Sequence, residues 1–196
     1  MNYASKDKVL KKGTVWKDLY FYRKSDAIYQ LTVEFCKRFL PAHGDRTVDQ
    51  MIQAARSGKQ NIVEGIEDGV ASTEMQLKLL NVARSSIQEL REDYRDYLIS
   101  RNLTIWNEAH NRYHKMQEFC KIHNRVEDYQ PHFNKWNNEE MANTALTLCY
   151  MVDTMLNRHL ISLEKEFVTQ GGIKERMHAA RTGYRQQEQN ELHEIG

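Results

Sequence analysis

Residues 80–97 read Leu-Asn-Val-Ala-Arg-Ser-Ser-Ile-Gln-Glu-Leu-Arg-Glu-Asp-Tyr-Arg-Asp-Tyr. Leu80, Ala83, Ile87, Leu90, Tyr94 and Tyr97 recur at alternating steps of three and four. That is the heptad seam along which helices pack in antiparallel bundles. The opposite face carries Arg84, Glu89, Arg91, Glu92, Asp93, Arg95 and Asp96, a solvated or partner-binding surface. Ser72 or Thr73 stands where an N-cap belongs.

Upstream, Gln53–Gly65 reads Gln-Ala-Ala-Arg-Ser-Gly-Lys-Gln-Asn-Ile-Val-Glu-Gly. It lies inside a second amphipathic helix, capped near Asp45 or Thr47. The apolar stripe of this helix is Val48, Met51, Ile52, Ala55, Gly58, Ile62 and Ile66, and it closes between Gly65 and Gly69. A mid-helix glycine costs about 1 kcal/mol against alanine. Close approach of a second helix backbone at Gly58 is the simplest offset. Asn61 and Glu64, beside Gly58, read as a polar network that fixes helix register, with a partner contact as the alternative. The other face (Gln53, Arg56, Lys59, Gln60, Asn61) holds no catalytic geometry.

A first helix is expected from Lys24 to Leu40, with Ser25 as its cap, Ile28, Leu31, Phe35 and Phe39 as its stripe, and Pro41 and Gly44 ending it. A fourth begins after Asn137 or Asn138, favoured by Glu139 and Glu140 in its first turn. Its buried side is marked by Met141, Ala145, Leu148, Val152, Met155, Leu156, Leu160, Leu163 and Phe167, and Gly171-Gly172 stops it. Between them, residues 102–137 read as a polar, aromatic-studded insertion with a short helix from Glu108 to His123. Tyr129, Pro131, Phe133 and Trp136 follow in a loop outside the core.

The fold expected is therefore all-α: an antiparallel up-and-down four-helix bundle over residues 25–170, interrupted at 102–137. It is preceded by a basic arm (1–24) and followed by a helical extension and loosely ordered tail (171–196). The arm holds Lys6, Lys8, Lys11, Lys12, Lys17, Arg23 and Lys24 against Asp7 and Asp18.

Across 196 residues the formal charge is +1, which by itself gives no argument for nucleic acid or membrane. No run approaches the ~18 apolar residues of a membrane span, and no apolar run follows the N-terminal lysines as in a secretory signal. Three cysteines without a close pair fit a reduced, cytoplasmic setting. His110 and His114, with Cys120 and His123 nearby, lack the spacing of a known metal site. There is no nucleophile elbow, phosphate-cradling glycine loop or di-iron pair. The expectation is a non-catalytic protein without cofactor or metal.

Three stretches carry a resemblance: Gln50–Ser57 (Gln-Met-Ile-Gln-Ala-Ala-Arg-Ser), Asn61–Gly65 (Asn-Ile-Val-Glu-Gly) and Asn81–Leu90 (Asn-Val-Ala-Arg-Ser-Ser-Ile-Gln-Glu-Leu). The chain resembles the four-helix-bundle proteins encoded in intervening sequences of bacterial large-subunit ribosomal RNA genes. That family includes the accessory variability proteins of diversity-generating retroelements. Asp93–Tyr97, Ala142–Thr144, Leu163–Phe167, Gly171-Gly172 and Glu175–Met177 resemble its subgroup with a C-terminal suffix. The likeness covers about residues 25–185. The usual Ser-Ile-Pro-x-Asn-Ile-Ala-Glu-Gly is altered at Gly58–Gln60 and Val63.

The resemblance implies a homo-oligomer, a pentameric ring, with RNA or DNA and a reverse transcriptase as partners. On that reading Arg56, Lys59 and Arg84, together with Lys174, Arg176, Arg181 and Arg185, are the candidate phosphate contacts. Gly58, Asn61, Glu64 and Gly65 form the structural motif. The competing expectation is a structural or protein-interaction module that never meets nucleic acid.

Overall fold

The computed structural model describes residues 13–41 and 46–194. Helices run over Tyr20–Phe39 (α1), Arg46–Asp68 (α2), Thr73–Ser100 (α3), Tyr113–Ile122 (α4), Val126–Tyr129 (α5), Asn138–Gln170 (α6) and Ile173–Glu194 (α7). Short 3-10 turns lie at Trp16–Asp18 and Gln130–His132, and there is no strand among the described residues. No described helix is long and apolar enough to cross a membrane.

The helix ends follow local chemistry. Ser72 Oγ accepts the Met75 N–H at 3.1 Å. Asn137 Oδ1 accepts the Glu140 N–H at 2.9 Å while Glu140 Oε2 accepts the Asn137 N–H at 3.0 Å, a reciprocal capping box. Gly171, with φ +72° and ψ 174°, ends α6 in a backbone region that is essentially glycine's alone.

α2 packs against α3, α3 against α6, α6 against α1, and α1 against α2. Leu80, Ala83, Ile87, Leu90 and Tyr94 of the α3 seam are fully buried, with Ile28, Leu31, Phe35, Met51, Ile62, Leu148 and Val152. Phe35 sits edge-on to Tyr94 and Tyr97 at 5.0 and 4.7 Å, and the Tyr94 hydroxyl donates to Thr32 Oγ1 at 2.9 Å. The start of α1 meets the later part of α6 (Phe21 beside His159, 5.3 Å). Its end meets the start of α6 through Arg38, which donates to the Trp136 carbonyl at 3.1 Å.

Gly58 is the point of closest approach between α2 and α3. A Cβ there would lie 2.8 Å from Ile87 Cδ1 and 3.1 Å from its Cγ1. Gly65 repeats this one heptad on, where a Cβ would come within 3.1 Å of Leu80 Cγ. Ser57 and Ser86 hydroxyls meet across the same seam at 3.0 Å, and Asn61 Nδ2 donates to the Ser57 carbonyl at 2.9 Å. Asn61 thus joins a register-fixing network, whereas Glu64 is exposed.

Several boundaries differ from the sequence reading. α1 starts at Tyr20 rather than Lys24 because Phe21 extends its buried stripe. Residues 20–24 of the arm are therefore helix, and Ser25 is a buried interior residue whose hydroxyl donates to the Tyr22 carbonyl at 2.7 Å. Lys6, Lys8, Lys11, Lys12, Gly44 and the proposed cap Asp45 lie outside the described residues. Thr47 lies inside α2, whose end at Asp68 falls within the expected Gly65–Gly69. α4 begins at Tyr113 rather than Glu108, so His110 and His114 do not share a helical face. Residues 126–132 are helical rather than loop. The tail is a helix through Glu194.

The insertion also belongs to the core, since Trp106, Cys120 and Tyr129 are buried. Two polar clamps explain this. Lys24, 1% exposed, reaches from α1 to the C-terminal end of α4 and donates to the carbonyls of Cys120 and His123, groups that α4 itself leaves unpaired. Burial pushes the Lys24 ammonium below its usual range, opposed by Cys120 and Asp128, and raises the Cys120 thiol to about 12. Asn143 of α6 holds the other end. Its Oδ1 accepts the Trp106 N–H at 2.8 Å, and its amide donates to the Thr104 and Glu139 carbonyls, each at 2.9 Å.

Candidate functional site

The basic residues of the long helices do not converge. Lys59 turns toward α1, where Nζ pairs with Asp26 at 3.1 Å and lies 4.5 Å from the centre of the Tyr29 ring. Arg84 turns toward α6, donating to Asp153 at 2.7 Å, and Gln88 donates to the same oxygen at 2.8 Å. Arg56 stands exposed on α2. Lys59 and Arg84 face different helices, and both are neutralised within the fold by partners far away in sequence. Among the arm's described cations, Arg23 pairs with Asp18 at 2.9 Å, Lys17 lies over Trp16 at 5.1 Å and Lys24 is buried.

Beside the Gln53–Ser57 stretch, α2 and α3 frame a groove of about 650 Å³ lined by Arg46, Asp49, Gln53, Ser57, Glu89 and Asp93. Burial raises the Asp93 carboxyl above its usual range, with Asp96 and Glu89 adding to the effect. Crowded carboxylates repel phosphate, so the polar face of the motif is a poor anion surface.

α7 is different. It makes no extensive contact with any other element. Lys174, His178, Arg181 and Arg185 recur at four, three and four along one face, and all are exposed. No ion pair holds them among the described residues. Arg176 lies off this stripe and is half-buried, its Nε 3.4 Å from the Gly172 carbonyl. One position before each basic residue run Ile173, Met177, Ala180 and Tyr184. Met177 and Tyr184 are 54% and 58% exposed, large for apolar side chains at heptad spacing.

His110 stacks on Trp106 at 4.8 Å and 11°, and His114 is exposed beside Tyr113. No group of three or more His, Cys, Asp or Glu able to hold a metal occurs among the described residues. Cys36, Cys120 and Cys149 are buried and form no disulfide.

The molecule thus belongs to the class of all-helical proteins with a buried apolar centre and one helix standing apart from it. No family model, curated protein or solved structure matches the chain.

Proposed function

We propose that the protein is a non-catalytic binding protein for RNA or DNA. In this reading α1, α2, α3 and α6 form an antiparallel four-helix bundle that displays α7 as its phosphate-contacting arm. The cyclic packing of the four long helices supports the bundle. The observation that carries the function is the exposed, unpaired stripe Lys174–His178–Arg181–Arg185 on a helix that makes no extensive contact with any other element. Lys and Arg at phosphates release condensed counterions, so binding is sequence-tolerant and salt-dependent. Self-association multiplies this charge around one assembly, which offsets a formal charge of only +1 per chain. By the family resemblance the assembly is a pentamer, a reverse transcriptase is a further partner and the setting is cytoplasmic.

The test is filter binding of a structured RNA and a DNA duplex across a salt series. Replacing Lys174, Arg181 and Arg185 by Gln should weaken binding and lower the log–log salt slope by about 2 to 3, at ~0.7–0.9 per lost phosphate contact. The Arg56→Gln, Lys59→Gln, Arg84→Gln combination should change the slope far less. Unaltered binding in the α7 variant refutes the assignment.

The second reading, a protein-interaction module without nucleic acid, is favoured by the apolar stripe Ile173, Met177, Ala180 and Tyr184. Under it, no nucleic acid binds at low salt, while Met177→Asp with Tyr184→Asp reduces the mass seen by light scattering.

A further inference from the structure

The segment between α3 and α4 closes against the N-terminal part of α6 around a cleft of about 390 Å³, within the range that holds small ligands. It shares no lining residue with the α2/α3 groove or with α7. Tyr113 and Tyr150 supply aromatic walls, Trp106, already covered by His110, closes one side, and Leu146 and Thr147 are buried beneath them.

The walls are held before any ligand arrives. The Trp106 backbone N–H is bonded to Asn143, its indole N–H donates to Glu139 Oε1 at 2.9 Å, and the ring of His110 is stacked on it. Arg91 lies 5.0 Å from the centre of the Tyr150 ring. Asn143 and Thr147 spend their polar atoms within the fold.

What the fold leaves unspent faces the same space. Arg95, Gln117 and Glu108 also line the cleft, and none has a side-chain hydrogen bond or ion pair among the described residues. The Gln117 amide, open to solvent and bonded to no protein group among the described residues, is free to bond a ligand.

We infer that this cleft binds a nucleotide: a planar heterocycle against the Tyr113 and Tyr150 walls, its edge read by Gln117 and Glu108, its phosphate on Arg95. Flat aromatic walls select a flat ring. A neighbouring amide and carboxylate accept from ring N–H and exocyclic amino groups while the amide also donates. A guanidinium recognises phosphate by its planar fork. A free nucleotide and an unpaired base of a single strand present the same chemistry. The inference is independent of α7, which reads phosphates alone.

Isothermal titration calorimetry of the full chain with each nucleoside monophosphate, its parent nucleoside and a short single-stranded oligonucleotide tests it. Saturable heat with a monophosphate is expected. Arg95→Gln should weaken the monophosphate by about tenfold, the loss of a charge-assisted contact, and leave the nucleoside nearly unchanged. Tyr113→Ala should weaken both by about tenfold through lost stacking. Thr147→Phe, which fills the base of the cleft, should abolish both, with circular dichroism as the folding control. Binding of the monophosphate assigns a free nucleotide. Binding of the oligonucleotide alone, lost in Tyr113→Ala, assigns an unpaired base, and both outcomes uphold the cleft. No saturable heat with any of these ligands overturns it, as does parent-like binding by Arg95→Gln and Tyr113→Ala together.

Discussion

Replacing Gly58 by alanine sets two opposing effects against each other at one atom. In a free helix the change is favourable by about 1 kcal/mol. Here the added Cβ would stand 2.8 Å from Ile87 Cδ1 and 3.1 Å from Cγ1, and Ile87 is fully buried. Rotation of Ile87 can remove its terminal methyl, but its Cγ1 must move as well. Overpacking of this kind costs about 1–3 kcal/mol. Taking about 2 for the clash and about 1 for the helix, the net loss is about 1 kcal/mol, or about 2–4 °C in midpoint for a chain of this size. Ile87→Val alone should cost about 1 kcal/mol. In the double variant Cδ1 is gone and the new Cβ occupies part of its space, so its stability should exceed the sum of the single effects by about 1 kcal/mol. Urea unfolding followed by circular dichroism at one fixed protein concentration gives all four corners of the cycle. A Gly58→Ala variant as stable as the parent, or additivity within about 0.5 kcal/mol, refutes the claim that α2 and α3 touch at this glycine.

Lys24→Met should lower stability by about 2–3 kcal/mol in urea unfolding, because the Cys120 and His123 carbonyls lose a charged donor in a buried place, and hydrogen exchange should rise in α4 and α5 before the long helices. Ile87→Asp or Leu148→Asp should cost several kcal/mol by burying an unpaired carboxylate, and an unchanged thermal midpoint in either would misplace the core. Alkali should unfold the protein. Burial raises the pKa of Cys120, Cys149, Tyr94 and Tyr129, so the unfolded chain releases protons from about the ordinary values of 9.0 for Cys and 10.0 for Tyr while the folded chain keeps them. Stability from these groups is full below pH 9 and declines as pH rises past it. A flat stability profile from pH 8 to 11 would contradict this.

What the sequence made legible was periodic or local. The α3 seam, the Asn137 cap and the stop at Gly171 each depend on residues within a turn or two of one another. So did the demand for close approach at Gly58, since a glycine inside a strong helical pattern has few other reasons to be there. What escaped was set by partners distant along the chain. Lys24 read as part of a solvated arm because lysine is rarely buried, and its partners are carbonyls of Cys120 and His123, which have no side-chain signature. Lys59 and Arg84 looked like a shared basic surface until Asp26 and Asp153 were placed beside them. Asn143 fell on the buried side of a long helix, where one amide draws in the whole 103–106 segment. The α7 stripe was present as Ile173, Met177, Ala180 and Tyr184, but four residues diluted by Gln and Glu give a weak periodic signal.

Gly171 gives the molecule a lever. α7 spans 22 residues, about 33 Å at 1.5 Å per residue, and its direction is set where φ is +72°. Gly172 N–H donating to Glu175 Oε2 at 2.9 Å braces the fulcrum from the α7 side. A turn of about 10° at this joint carries the far end through roughly 6 Å over that length, close to the spacing of neighbouring phosphates along a strand. Any side chain at residue 171 would therefore do more than strain one residue: it would re-aim Lys174, Arg181 and Arg185 together, altering what the arm meets while leaving the core untouched.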